Sequence, residues 1–347
     1  MARLLVTGAN GHVGSNLCRL LVEEGHDVVA LVRKSSDLRG LEGVDVEYKH
    51  GDILDAESVR AAARGAQSVF NVAAVYATSG HSVEEIMRPA VEGVENVLRA
   101  AATEGVERVI QTSTTGAIGF SHSPETVLDE TQWNDDPQMT YFLAKTKSER
   151  LAWQIADELD IDMVTVNPTG ILGQYDYRIT PSTSLVRGFL EGSSMSVQGG
   201  VNIVDVRDVA RGHLLALQKG RRGERYLLVA ENHEMRDLAS MVTELTGIKV
   251  PHAPLPRWMI PVAIPCTGLL MRALGKKDIT TVQEAREFIG RWAWFDATKS
   301  KADLGFEARP ARETLDHTIR WLVYSSALSP KVEKRLREQY PPDPAWS

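Results

Sequence analysis

A tyrosine and a lysine four residues apart are the side chains whose types and spacing first point to catalysis. They begin and end the segment Tyr141-Phe142-Leu143-Ala144-Lys145, which starts a long predicted helix, so both side chains lie on one face. A free phenol has a pKa of about 10, and a nearby ammonium favours the ionised form and lowers that pKa. The pair therefore suits acid–base catalysis. Considered alone it is ambiguous, because any long helix can contain it by accident, with Lys145 simply solvated.

A cluster of hydroxyl side chains, Thr112-Ser113-Thr114-Thr115, comes before this pair in the sequence. It follows the short run Arg108 to Gln111, which predicts a strand. In parallel α/β sheets, ligands bind beyond the carboxyl ends of the strands. We therefore expect the hydroxyl groups at the ligand-binding edge of such a sheet.

The first fourteen residues predict the turn that would hold a dinucleotide. An apolar run, Leu4-Leu5-Val6, precedes three regularly spaced glycines and an amphipathic segment, which indicates a strand, a tight turn and a helix. Such glycines allow the bend, the approach of a pyrophosphate and close helix packing, and the phosphates lie at the helix N-terminus. An ordinary strand-to-helix turn is the alternative. The residues expected to bind the cofactor here are Gly8, Asn10, Gly11, His12, Val13 and Gly14.

The end of the second predicted strand, Asp27 to Val32, bears on the choice between NAD and NADP. An acidic residue near this point binds the ribose 2′-hydroxyl of NAD, whereas an arginine accommodates the 2′-phosphate of NADP. Here Val32 occupies the expected position of the acid, and Arg33 and Lys34 follow. The sequence therefore favours NADP, with NAD possible. A solvated basic turn is the alternative.

Two further strand ends carry candidate cofactor contacts. After the predicted strand Val44 to Tyr48, the Asp52 carboxylate could accept a hydrogen bond from adenine N6, and Ile53 could pack on the ring. Asp52 could instead cap the next helix, although Asp55 is better placed for that role. The fourth predicted strand, Ser68 to Val72, is followed by small residues that would let a ligand lie against the backbone. These are Ala73 and Ala74.

Strands and helices alternate along this half of the chain. A helix is predicted from about Val83 to Thr103, between the fourth and fifth strands. This alternation predicts an α/β fold in which a parallel sheet carries helices on both faces, as in Rossmann-type doubly wound folds.

Composition limits the possible partners. A formal net charge of −7 with no dense basic block predicts that nucleic acid is not bound. Cys18 and Cys266 are the only cysteines, and the histidines lack metal-ligand spacing, so neither a disulfide framework nor a metal is predicted. The chain starts directly with a strand rather than an apolar signal segment, so cytoplasm is the expected location.

The most apolar stretch of the second half runs from Trp258 to Met271 and contains Pro261 and Pro265. It is too short to cross a bilayer, so no membrane span is predicted. A buried or substrate-covering helix is favoured over a contact with a membrane surface.

Taken together, these motifs resemble the extended short-chain dehydrogenase/reductase family. The resemblance rests on Thr-Gly-x-x-Gly-x-x-Gly, the hydroxyl cluster and Tyr-x-x-x-Lys, and extends to Asn167-Pro168-Thr169-Gly170 and Val204-Asp205-Val206-Arg207. The resemblance covers about residues 2 to 325. Within the family, the sequence is most similar to the branch containing dihydroflavonol 4-reductase, related aldehyde and ketone reductases, and the hopanoid-associated sugar epimerase-like proteins.

The resemblance implies roles for individual residues. Thr114 stands where the family has its catalytic serine and forms a triad with Tyr141 and Lys145. Lys145 would also bind the nicotinamide ribose. Ala90 stands where relatives usually carry an asparagine, so a role of that asparagine cannot be transferred. Further cofactor contacts are expected at Thr112, Ser113, Tyr141, Lys145, Pro168 and Ile171, and substrate contacts at Thr114, Tyr141, Thr169, Tyr175 and Arg178.

The resemblance also implies a smaller, discontinuous C-terminal substrate lobe beside the NADP-binding domain. The expected NADP-binding domain comprises residues 1–173 and 205–230, and the substrate lobe comprises 174–204 and 231–325. Residues 326–347 form a tail that either caps the body or mediates self-association, and a homodimer is possible.

The function expected from these features is NADP(H)-dependent interconversion of a carbonyl and an alcohol in a small-molecule substrate. A nucleotide-sugar epimerase or dehydratase with tightly bound NAD(P) is the alternative, because both use the same triad. A sensor or scaffold that binds NADP without turnover is a third hypothesis, disfavoured because Tyr141 and Lys145 are both present.

Overall fold

A seven-stranded parallel sheet forms the centre of the protein. The computed structural model describes residues 1–74, 82–253, 255–273 and 282–341. The order of the strands is β3-β2-β1-β4-β5-β6-β10, and every neighbouring pair is parallel. The strands of this sheet are β1 (Arg3–Thr7), β2 (Asp27–Val32), β3 (Glu47–His50), β4 (Ser68–Asn71), β5 (Arg108–Thr112), β6 (Met163–Pro168) and β10 (Arg225–Leu228).

Helices cover both faces of this sheet. Along β1, Leu4 and Val6 point to one face and Leu5 to the other, because successive side chains of a strand alternate. The first face packs against α1 (His12–Glu23) and α6 (Val206–Lys219). The second face packs against α2 (Ala56–Ala63), α3 (Val83–Thr103) and α4 (Thr140–Glu158). The predicted Rossmann-type fold is confirmed.

The remaining elements form two small sheets and a separate apolar core. One small sheet has the order β11-β9-β7 and the other pairs β12 with β8. The strands of these two sheets are β7 (Gly170–Leu172), β8 (Ser196–Val197), β9 (Gly200–Asp205), β11 (Asn232–Glu234) and β12 (His252–Ala253). The helices are α5 (Pro181–Leu190), α7 (Met235–Thr246), α8 (Ile260–Ala273), α9 (Val282–Phe288), α10 (Ala311–Tyr324) and α11 (Pro330–Arg337).

The separate core is built from α5, α7, α10 and α11. Leu336 of α11 and the following Tyr340 are buried in it, so the described part of the tail packs onto this core. On these contacts we propose the division of the chain stated above, with β10 returning to the main sheet.

Two expectations about local structure need correction. The third strand starts at Glu47 rather than Val44, because the N–H groups of Val44 and Val46 bond within a turn, to the carbonyls of Leu41 and Val44. The apolar stretch near residue 260 forms α8, which exposes much of its surface and so is not a buried helix, while a substrate-covering role stays a prediction. Among the described residues, no helix is both long and apolar enough to cross a membrane.

Candidate active site

The turn between β1 and α1 forms a close-fitting cradle of backbone. Gly8 has a φ of +63°, and a Cβ there would lie 2.7 Å from the Cα of Ala73. A Cβ on Gly14 would collide with the carbonyl oxygen of Gly8, so neither position accepts a side chain. The N-cap of α1 is Gly11, which has no side chain to satisfy the first N–H groups of the helix. This arrangement fits the phosphates of a dinucleotide.

The other predicted loop residues have different surroundings. Asn10 Nδ2 donates to the carbonyl oxygen of Asp37 at 3.2 Å, which joins the loop to the segment after β2. The His12 ring is buried, with Nδ1 3.9 Å from Asp176 Oδ2, and burial lowers the pKa of this imidazole. Val13 is half-buried against the core beneath α1. The Nε2 atom of the buried His12 ring has no hydrogen-bond partner in the part of the chain that the structure describes, and a cofactor contact of His12 stays a prediction.

Basic side chains gather beyond the end of β2, at what we call the adenosine edge. Arg33 and Lys34 are both exposed there. The N–H of Arg33 donates to Ser36 Oγ at 3.1 Å, which holds the turn. The guanidinium of Arg39 lies over the ring of Tyr177, 4.4 Å from its centroid. This edge can therefore attract a phosphate, and it presents Val32 rather than an acid at the strand end.

The residues after β3 make local contacts. The Asp52 carboxylate accepts the N–H of Leu54 at 3.0 Å, and Ile53 fills the space beside Gly93 of α3. The Asp55 carboxylate accepts two N–H groups in the first turn of α2, so the prediction that Asp55 is the cap is confirmed. A contact of Asp52 or Ile53 with adenine stays a prediction.

Helix α4 places Tyr141 and Lys145 one turn apart, and both side chains are buried. Lys145 Nζ donates to the carbonyl oxygen of Thr112, at the end of β5, at 3.0 Å. Burial lowers the pKa of Lys145 to about 8, although the charge of Glu149 opposes this shift. The amine is therefore held in place and remains mostly protonated at neutral pH.

Tyr141 and Lys145 line one cavity, between α4, α3 and the end of β4. Its other walls include Ala73 and Ala74, the predicted cofactor contacts after β4, and Ala90 on α3. The structure thus brings the tyrosine and the lysine together with the two small residues expected to face a ligand. The remaining lining residues are Ile86, Val94, Gln111, Ala144 and Ser148.

The hydroxyl groups of Thr112 and Thr114 are used differently. Burial lowers the pKa of His213 to about 4, so its ring is neutral; Nδ1–H donates to the Val209 carbonyl at 2.7 Å. His213 Nε2 must then accept the Thr112 hydroxyl, at 2.9 Å. The hydroxyl oxygen of half-buried Thr114 accepts the Gly116 N–H at 3.1 Å. That bond uses a lone pair of Thr114 and leaves its O–H hydrogen for donation elsewhere.

Ser113 belongs to a buried ion-pair network. Its hydroxyl donates to Glu149 Oε2 at 2.5 Å, and Asn167 Nδ2 donates to the same oxygen at 3.0 Å. Arg225 Nε donates to Glu149 Oε1 at 2.6 Å, with its guanidinium 3.9 Å from the centroid of the Trp133 ring. Because the Ser113 side chain points into this network, a contact of Ser113 with a cofactor would have to use its backbone.

The sequence motifs did not point to Glu149 or Arg225. Glu149 follows Lys145 by four residues and so continues the same helical stripe, which was the one available signal. Arg225 is 76 residues further along the chain, and no local pattern connects the two.

The loop after β6 is fixed by contacts to other strands. Pro168 pairs with Leu228 in the main sheet, and the Thr169 hydroxyl donates to the Asn202 carbonyl at 3.0 Å. Ile171 is half-buried against the core of the main sheet. The Thr169 hydroxyl is therefore used within the protein, while the cofactor contacts of Pro168 and Ile171 stay predictions.

Tyr175 and Arg178 lie away from this cavity. Tyr175 has a φ of +61°, and its ring packs beside α10 with the Arg19 guanidinium of α1 4.2 Å from its centroid. The pKa of Asp37 is lowered by Arg39 and, more weakly, by the charge of Arg178, which places Arg178 near the adenosine edge. The segment at Tyr175 thus packs toward α1 and α10, and the expected substrate roles of Tyr175 and Arg178 stay predictions.

Two features lie at the same edge of the parallel sheet: a glycine cradle after the first strand, and a buried tyrosine–lysine pair on a cavity. Together they define a nicotinamide-dependent dehydrogenase or epimerase. Within the described ranges, no group of three or more His, Cys, Asp and Glu side chains is arranged to hold a metal ion.

Comparisons with known proteins agree with this class. The model of the NAD dependent epimerase/dehydratase family matches residues 4–228. A dihydroflavonol 4-reductase-like protein from Synechocystis sp. is 31% identical over 323 residues, covering 91% of this chain and 93% of that protein. Cinnamoyl-CoA reductase 1 of Petunia hybrida is 33% identical over 267 residues, covering 72% of this chain and 78% of that protein. The crystal structure of gox2253 superposes with a TM-score of 0.83 at 32% identity, covering 95% of this chain and 100% of that one.

The chain belongs to the NAD dependent epimerase/dehydratase family, within the extended short-chain dehydrogenase/reductases. It is an NAD(P)-dependent enzyme, and the relatives named above support a reductase better than an epimerase.

Proposed function

We propose that the protein interconverts a carbonyl and an alcohol in a small-molecule substrate with NADP(H), using Thr114, Tyr141 and Lys145. The observation that carries this proposal is the shared cavity of Tyr141 and Lys145 beside Ala73 and Ala74. Burial gives both catalytic side chains fixed positions, as acid–base chemistry requires.

The preference for NADP over NAD is part of this proposal. Its support is the pair of exposed cations, Arg33 and Lys34, directly after Val32 at the end of β2. The fit of a dinucleotide itself is supported by the positions of Gly8 and Gly14, where a Cβ would meet backbone atoms. We assign the phosphate-binding role to the backbone of this loop.

The proton chemistry that we propose gives one role to each of the three side chains. When bound, the nicotinamide supplies or accepts the hydride. In the reductive direction Tyr141 Oη gives its proton to the substrate oxygen, and the Lys145 ammonium stabilises the resulting phenolate. The Thr114 hydroxyl, whose oxygen already accepts the Gly116 N–H, donates its hydrogen to the same substrate oxygen as negative charge develops there.

Turnover with simple carbonyl compounds tests the proposal. We expect NADPH oxidation with some member of a panel of aldehydes and ketones, or NADP reduction with secondary alcohols. Tyr141→Phe should reduce turnover by at least about a hundredfold, because it removes the proton donor, while NADPH still binds. Tyr48→Phe, a surface tyrosine, is the matched control and should behave as wild type.

Two results would contradict the proposal. Near-normal turnover in Tyr141→Phe would remove Tyr141 from the mechanism. Failure to turn over any of the panel, together with release of stoichiometric nicotinamide from denatured protein, would favour the epimerase or dehydratase alternative.

A further inference from the structure

Helix α8, with the turn before it, presents an apolar surface to solvent. Trp258 is 77% exposed, Val262 66% and Leu269 71%. Because residues at spacings of three, four, seven and eight lie on one side of a helix, these side chains share a face. We call this surface the α8 face. It consists of Trp258, Met259, Val262, Cys266 and Leu269, all of which are exposed.

The opposite side of α8 packs onto the protein. Ile260 is fully buried, and Ile264 packs with it against Ala285 of α9 and the following Ile289. This packing sets the rotation of the helix, so the outward direction of the α8 face is a property of the fold. An exposed apolar face of this kind marks an interaction site.

The charges around α8 indicate what covers the face. The stretch Trp258 to Met271 contains no charged residue, and the sequence from 251 to 277 contains no Asp or Glu although the whole chain has a net charge of −7. Cations stand on both sides of the stretch in the sequence, at Arg257, Arg272 and the pair Lys276-Lys277. An apolar helix with a tryptophan at one end and flanking cations suits the boundary between the headgroups and acyl chains of an anionic bilayer.

The alternatives fit less well. With 14 residues, α8 is about 21 Å long, too short to cross a bilayer, so it would lie along the surface. A twofold contact between copies pairs this patch with itself, and residues 251–277 supply no acidic group to neutralise the cations that flank the patch in the sequence.

An apolar series of rings connects this region with the catalytic tyrosine. Phe288 at the end of α9 is 43% exposed, and its ring lies 6.0 Å from that of Phe142. The Phe142 ring lies 5.3 Å from that of Tyr141. Apolar rings therefore lie between the exposed end of α9, the helix that packs against α8, and the catalytic tyrosine.

We propose that the α8 face docks the protein on the surface of an anionic bilayer. The same geometry also assigns the substrate class, and this part rests on the proposed function. The substrate would be a lipophilic carbonyl or alcohol compound that is delivered from the lipid phase.

Flotation of the full-length protein with vesicles tests the docking. We expect binding to vesicles of phosphatidylcholine mixed with phosphatidylglycerol, weaker binding to phosphatidylcholine alone, and weakening by salt. The double variant Val262→Glu/Leu269→Glu should reduce the partition coefficient by at least about tenfold, because two apolar contacts are replaced by charges. Val127→Glu/Met195→Glu, at two apolar residues that are each 50% exposed, is the matched control and should bind as wild type.

A second measurement does not depend on the folding of that variant. Trp258→Phe should remove most of the blue shift in tryptophan emission that anionic vesicles cause in the wild-type protein. If neither vesicle binds the protein, or if the control variant loses binding equally, the docking proposal is wrong. Conversion of a wild-type oligomer to monomer by Val262→Glu/Leu269→Glu, without vesicle binding, would show that a second copy covers the face.

Turnover of a water-soluble aldehyde separates this proposal from the proposed function. Turnover without vesicle binding contradicts the docking alone. Vesicle binding without turnover of any carbonyl compound contradicts the proposed function and the substrate class, and leaves the docking in place.

Discussion

The carboxyl edge of the main sheet has two regions of opposite character. Beyond β5 and β6, Lys145 and Glu149 are buried and bonded to strand-end groups at distances of 2.5 to 3.0 Å. At the adenosine edge beyond β2, Arg33 and Lys34 are exposed to solvent. One region fixes its ionisable groups with hydrogen bonds, whereas the other offers charge on flexible side chains.

This difference matches the work proposed for each region. A proton transfer depends on the distance between donor and acceptor, so its groups benefit from fixed, dry surroundings. Attraction of a phosphate depends on charge near the site and tolerates motion, but solvent and salt screen it. Substitutions at the buried region should therefore change stability, while those at the exposed edge should change cofactor binding alone.

Glu149→Gln is expected to give the largest effect on stability. The substitution leaves Arg225 buried without its counter-charge, because the Glu149 carboxylate accepts hydrogen bonds from both Nε and Nη2 of Arg225. Breaking a buried pair in this way costs about 3–5 kcal/mol of unfolding free energy, measured by urea denaturation. Glu158→Gln, at the exposed end of the same helix, removes a surface contact to Arg99 and should cost less than about 1 kcal/mol.

Equal losses of unfolding free energy in the two variants would mean that the network around Glu149 contributes no more to stability than a surface ion pair. The contrast between the two regions would then have no energetic basis.

Local sequence patterns predicted the helices of the catalytic region better than the distant side chains that bond to those helices. The helix predicted from about Val83 to Thr103 is found at those residues, and the spacing of Tyr141 and Lys145 placed both on one helical face. The partner of Glu149 could not be predicted, because Arg225 reaches it from β10 across the folded sheet.

Long-range geometry also sets contacts that local patterns do not give. The Tyr175 ring meets the Arg19 guanidinium of α1 and packs beside α10, and its expected substrate contact stays a prediction. The apolar composition of the stretch from Trp258 suggested burial. In the structure only one side of the short helix α8 is buried, and Ile260 on that side anchors the helix to the protein. Composition alone does not distinguish a buried helix from one that is anchored on one side only.

Arg33→Ala should give a smaller effect, restricted to the cofactor. The exposed guanidinium is removed, so NADPH affinity should fall about tenfold while NADH affinity changes little, because one charge-assisted contact to the 2′-phosphate is lost. Fluorescence titration with each cofactor measures this, and unfolding free energy should be unchanged. Arg64→Ala, at another exposed arginine, is the control. Equal weakening of both cofactors would mean that the 2′-phosphate binds elsewhere.

The smallest expected effect is a pH dependence that only the buried region should show. Burial lowers the pKa of Lys145 to about 8 from the 10.5 of a free lysine. Between these values the unfolded chain binds the proton and the folded protein does not, so stability rises with pH across this window. Relative to Lys145→Met, which cannot titrate, the cofactor-free wild type should gain about 1 kcal/mol of unfolding free energy from pH 8 to pH 9. The opposite result is a difference in unfolding free energy between the two proteins that stays constant from pH 8 to pH 9. That result would show that Lys145 is as well solvated as the cations at the adenosine edge, so the two regions would not differ in this respect.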